Sequence, residues 1–231
     1  MPRLSNPLRA RMVCLDRHLI IPKEFNMTSL SPKYRLLRDE SITVNGHKLY
    51  RIQALRDFGN VKKGDKGGFV ESEYNLSHKG DCWVSDDGRV FEYACVFSDA
   101  QVFGNAQVSG NAKIYWNAFI SDNAKVSGHA EVSGNAHIFN DARVCDDALV
   151  SDSAHISGHA IVKNHARVTG HAEVSRNASV SGHAWIFDHA QVTENAQVSG
   201  DAYVSGNAKV SGHAHIDGDR VIDGDTVITG E

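Results

Sequence analysis

The chain has no long apolar run. None of its 231 residues fall in anything close to the roughly 20 apolar residues that a membrane-spanning helix requires. Near the start, short stretches such as Leu19-Ile20-Ile21 are too brief for the core of a cleavable secretory signal. The expectation is therefore a cytoplasmic protein with no membrane partner. Cysteine is scarce: Cys14, Cys82, Cys95 and Cys145 show no CxxC spacing, so they read as reduced thiols with neither a disulfide frame nor a zinc site. A strong charge of either sign is also missing. With 24 basic and 28 acidic residues, the formal net charge of −4 is too mild to point to nucleic acid.

Proline and methionine are absent from most of the chain. All four Pro and all three Met lie in residues 1–32. Residues 1–26 have neither helical nor strand periodicity and end just before Met27, so the segment 1–32 reads as a disordered tail, or residues 1–26 as an extension upstream of a start at Met27. Residues 33–83 read as an N-terminal β cap, and residues 84–231 as a repeat domain.

What is present in abundance is one pattern. From Val84 to Ile228, all 25 positions spaced six apart are Val or Ile, and from Ala94 to Ala214 every sixth residue is Ala, 21 in succession. Self-similarity at a fixed period dictates architecture before local propensity does. In Ala130-Glu131-Val132 the side chains alternate across a short strand, so Ala and Val point one way and Glu the other. Ser133-Gly134-Asn135 then carries turn chemistry, because Gly accepts positive φ and Asn, Asp and His are among the other residues found there. Strand and corner, repeated without change, make a polygonal coil stacked through parallel hydrogen bonds. Its interior is a ladder of Val and Ile, with Ala where space is short. On this reading His129 and Asn135 share one role, as corner residues that tolerate left-handed backbone.

Units such as Val126-Ser127-Gly128-His129-Ala130-Glu131 resemble the hexapeptide repeat of the left-handed parallel β-helix. That resemblance implies an all-β fold with three hexapeptides per coil, a triangular cross-section and a left hand, an exception to the usual right-handed crossover. Twenty-five units would make about eight coils, a prism on the order of 40 Å long at roughly 4.8 Å per coil. Ahead of the repeat, Ile42 to Tyr50 reads as a β-hairpin turning at Asn45-Gly46. Val70 and Leu76 are six apart and Leu76 and Val84 eight apart, so one degenerate coil precedes the regular ones. The segments "LYRIQALRDFG", "GDKGGFVESEYNLS" and "GDCWV", followed by hexapeptides, are similar to YdcK-like and prophage hexapeptide proteins that are labelled acetyltransferases. The label implies acetyl-CoA as a cofactor, and the resemblance supplies no catalytic motif. Gly67-Gly68 is not a phosphate loop, since the Gly-Lys-Ser/Thr ending is missing.

Two sets of residues are functional candidates. The corner slot holds His129, His159, His165, His171, His183, His189 and His213, and at three units per coil His165 falls over His183 and His171 over His189. Any of these four could act as the general base of an acyltransferase, or a pair could share a metal ion. The same slot elsewhere holds Asn or Asp, which favours a structural role and no metal. The second set is the outward column Leu149, Arg167, Trp185, Tyr203 and Val221, with Phe187 at the neighbouring corner. Its composition is that of a protein interface. The column Arg89, Gln107, Lys125 and Arg143 is mildly basic, open to an anion such as the coenzyme A phosphates or simply to solvent. Trp83, Phe91, Tyr93, Phe97, Phe103, Tyr115, Trp116 and Phe119 are expected mostly to dock the cap.

Two functions follow as expectations. The first is a non-catalytic, cofactor-free scaffold that forms a dimer or trimer and presents faces to a protein partner, host- or phage-encoded if the prophage resemblance holds. The second is an acyl-CoA-dependent acyltransferase with a site between subunits. No loop interrupts Val84 to Ile228 to cover an acyl donor, and this favours the first.

Overall fold

The computed structural model describes residues 31–231, and its regular structure is entirely β-strand. Among the described residues no helix is long and apolar enough to cross a membrane. The tail expected over residues 1–32 lies almost wholly outside the described residues.

The six-residue period closes into a coil because every third unit returns to the same side. Lys125 and Val126 pair in parallel with Arg143 and Val144, eighteen residues on, and Glu131 and Val132 pair with Leu149 and Val150 in the same way. The three sides make three parallel sheets, called here the Lys125, Glu131 and His137 faces after one coil's outward residues. The second residue of each regular strand points inward. Val126, Val132, Ile138 and their counterparts are fully buried, and so are the Ala residues between them. Each buried Val or Ile contributes roughly 1.5–3 kcal/mol, and its branched Cβ suits extended backbone.

The coils number nine once the expected degenerate coil is added to those of the regular repeat. Lys66–Val70 pairs with Arg89–Val90 on the Lys125 face, and Leu76 bridges Val96 on the Glu131 face. With Val84 on the His137 face, these complete a full coil ahead of the regular ones. The degenerate coil therefore closes, and the two extra residues between Leu76 and Val84 are taken up as a loop. That loop would leave carbonyls without strand partners. The buried Lys33 ammonium donates to the Cys82 carbonyl at 2.7 Å and the Gly80 carbonyl at 3.2 Å. Burial holds its pKa below the usual lysine value, with the nearby Cys82 thiol acting in the opposite sense.

The cap is a hairpin of β1 (Tyr34–Val44) and β2 (His47–Ala54), turning at Asn45 and Gly46, both at positive φ. β2 pairs antiparallel with β3 (Lys66–Val70), whose other edge starts the parallel Lys125 face. Trp83 packs edge-on to Tyr34 and Phe58, while Phe91 lies against His47. Only these two of the eight aromatics expected at the cap are buried. Phe97 stacks on Tyr115 with ring centres 5.0 Å apart, and Tyr93 and Trp116 stand 81% and 57% exposed. The hairpin covers only the end of the rod, so aromatics further along have their own column neighbours instead. The cysteine reading also needs correction: Cys82 and Cys145 are free, but Cys95 is disulfide-bonded.

The corners overturn the shared explanation of His129 and Asn135. Positive φ belongs to the residue one place earlier, at Gly128 and Gly134, and at the same slot of every corner from Asp86 to Gly224. Many of these residues are not glycine, and where they are Asp, Asn or Glu a side-chain bond offsets their backbone strain. Asp122 Oδ2 accepts the Asn140 amide at 2.9 Å, Asp146 Oδ2 that of Asn164 at 3.1 Å, and Asp188 Oδ2 that of Gly206 at 3.2 Å. Each acceptor reaches the same slot one coil on, where the amide otherwise has no ladder partner. The His/Asn slot is instead a column of stacked polar side chains. Asn117 donates to Asn135 and Asn123 to Asp141 across adjacent coils.

Replacing Ile138, fully buried at mid-rod, with Ala should lower unfolding free energy by about 2–5 kcal/mol through lost contact and residual cavity. Urea unfolding followed by far-UV circular dichroism measures this. A loss below about 0.5 kcal/mol would show that the core is not packed as described.

Candidate interaction face and histidine ladders

The outward column of the Glu131 face lies in register through five coils. Leu149 pairs with Arg167, Arg167 with Trp185, Trp185 with Tyr203, and Tyr203 with Val221. The Trp185 ring sits 4.8 Å from Phe187 and 5.9 Å from Tyr203, and its indole N–H donates to Thr169 Oγ1 at 3.1 Å. These contacts hold the indole across the face. Leu149 and Trp185 are half-buried, Arg167 is exposed, and Tyr203 and Val221 are 41% and 65% exposed. Toward the cap, the Lys113 ammonium pairs with the Glu131 carboxylate at 2.5 Å, so charge ends the strip on that side. A shallow depression of about 340 Å³ lies beside it, lined by Lys113, His129, Glu131, Asp147 and Leu149 among others.

The predicted histidine pairs are stacked. His165 and His183 have ring centres 4.8 Å apart and planes 9° apart, and His171 and His189 are 5.0 Å and 3° apart. His165 Nδ1 lies 3.8 Å from Asp147 Oδ2. The two pairs lie in different corner columns, and all four rings are exposed. A general base works best where water is excluded and the reacting group is held, and these rings have neither benefit within one rod. Among the described residues no group of three or more His, Cys, Asp and Glu side chains is placed to hold a metal ion.

Arg89, Gln107, Lys125 and Arg143 lie in register on the Lys125 face, with Lys125 and Arg143 exposed. The column ends at Ile161, so its positive charge does not run the length of the rod.

One cluster escaped the sequence reading. On the His137 face, Phe119, His137 and His155 lie one above another in consecutive coils, with ring centres 5.0 and 5.1 Å apart, the first pair tilted and the second edge-on. Burial lowers the His137 pKa below its ordinary value, and the neighbouring His155 lowers it further. The signal was there, since 119, 137 and 155 are eighteen apart, the same spacing that exposed the Trp185 strip. These histidines are outward strand residues rather than corner residues, and a search confined to corners passes over them.

Residues 142–158, about one coil, match the family model described as the YdcK beta solenoid repeat. The matched unit and the coil geometry agree on a parallel β-solenoid. No curated protein matches the chain.

Because the His137 pKa is depressed in the folded chain, protonating it opposes folding. Its contribution is complete above the unfolded value of about 6.5 and is lost as pH falls through the folded value. In an NMR titration His137 should titrate below 6.5, and His155→Ala should raise its midpoint only partway, since burial is the larger cause. A midpoint above 6.5 would contradict the packing against Phe119.

Proposed function

We propose that the chain is a non-catalytic, rigid β-solenoid module that oligomerises and presents its faces to a protein partner. The observation that carries this reading is the Leu149–Val221 strip. It is a column of apolar and aromatic side chains with one Arg, in register on a stiff sheet and open to solvent. Large aromatics and Arg dominate the energetics of protein interfaces, and clustering with little charge between them is what such a surface requires. A sheet fixed by ladder bonds on both sides holds these groups before binding, so little ordering entropy opposes association. The similarity to prophage proteins makes a host or phage protein the expected outside partner.

The acyltransferase reading would need acetyl-CoA to bind between subunits with His165 or His183 as base. The His165 contact with Asp147, on the corner beside the strip, is the feature that favours it.

Two measurements separate these readings. The wild-type chain should sediment as an oligomer, and Trp185→Asp should reduce its mass to the monomer, because a carboxylate would be buried without a partner. An unchanged mass would remove the strip as the interface. Calorimetry of the oligomer with acetyl-CoA should show no binding heat. Heat that disappears with His165→Ala or His183→Ala would replace the scaffold reading with the enzymatic one.

A further inference from the structure

The strip has a property that its composition does not reveal: its order is self-complementary on reversal. From the cap outward it runs Leu149, Arg167, Trp185, Tyr203, Val221, with the apolar residues at the ends, the cation and phenol inside them, and Trp185 in the middle. Resting on the reading of this strip as an interface, we propose that its occupant is a second copy of the chain, antiparallel to the first, related by a two-fold axis through Trp185.

Adjacent strands are about 4.8 Å apart, so residues of the column stand at equal steps along the rod. A two-fold axis lying in the interface along the strand direction reverses the rod but leaves each residue's place across the face unchanged. The column then meets its own reversed image. With the axis at Trp185, the indole faces the indole of the second copy. Arg167 faces Tyr203, a cation over an aromatic ring, and Leu149 faces Val221.

Other arrangements fit worse. Parallel rods set Arg167 against Arg167, two like charges within the contact. An axis at Arg167 does the same, and an axis between Arg167 and Trp185 sets Glu131 against the exposed Val221. Among these arrangements, the axis at Trp185 leaves each charge with a suitable group and each apolar side chain with another.

Shape agrees with chemistry at the ends. Val221 is among the most exposed apolar side chains described, and Leu149, its opposite in this register, borders the 340 Å³ depression on the same face. The overlap ends there, because the Lys113–Glu131 ion pair bounds the strip on the cap side and Val221 is its last residue on the other. Both caps point away from the contact, at opposite ends of the assembly.

The test is directional cross-linking of the full chain. Equal amounts of Leu149→Cys and Val221→Cys, mixed and mildly oxidised, should give a disulfide-linked dimer that neither variant nor the wild type gives alone. Independently, Arg167→Glu should raise the dimer dissociation constant at least about tenfold. Adding Tyr203→Lys to the same chain should recover most of that loss, because the two introduced charges then face each other across the axis. Cross-linking of Leu149→Cys to itself would overturn the antiparallel register while leaving the strip as the interface. A double variant weaker than Arg167→Glu alone would overturn it too. If Trp185→Asp leaves the oligomer intact, the interface reading itself fails, independently of the register.

Discussion

Everything in this rod depends on closing a coil in eighteen residues. A β-branched residue points inward once per side, and the backbone hydrogen bonds to the next coil form only if Val126 comes to lie on Val144. One extra residue would turn the whole following side over, placing polar groups in the core and valines in water. That is why the single irregularity, between Leu76 and Val84, has an even length of two and needs Lys33 to bind the carbonyls it releases. The side-chain period of two decides the parity, and a buried ammonium stabilises what the ladder cannot.

The corners show how a repeat accommodates variety without changing its path. Left-handed backbone costs little for glycine and more for other residues, yet Asp, Asn and Glu occupy many of these places. They are tolerated because a carboxylate or amide there takes the backbone N–H of the matching corner in the next coil. The strain of one residue is offset by a bond it makes to another coil, and this also ties the coils together outside the sheets. At the C-terminal end a different bond is made, from the corner amide to the carboxylate just before it. The Asp217 carboxyl is held below its usual range by the Gly218 amide and the Ser199 hydroxyl, and Val221 and Val227 stand largely exposed.

The repeat region was legible because a solenoid contact is a fixed offset in sequence. Once Val recurs every six residues and three sides close a coil, the column Leu149 to Val221 follows by counting, and so do the two histidine stacks. The His137–His155 contact was equally countable, but it lies on a strand rather than at a corner. What counting could not supply was conformation. The left-handed residue turned out to be Gly128 rather than His129: positive φ falls one place earlier in the corner, while the His129 amide donates to the Asp146 carbonyl of the next coil. Nor could it say that Tyr93 and Trp116 face solvent, since the reach of the cap depends on where the hairpin lies.

The sequence by itself determined the coil, its three faces and the residues that share each column, because every one of these is a consequence of period six and strand alternation. Tertiary structure alone decided the closing of the first coil over a two-residue excess and the burial of Lys33 to satisfy it. It also decided the choice of corner residue and the solvent exposure of each aromatic. Those outcomes depend on which hydrogen-bond partners and neighbouring surfaces are present in space, and a one-dimensional pattern does not carry that information.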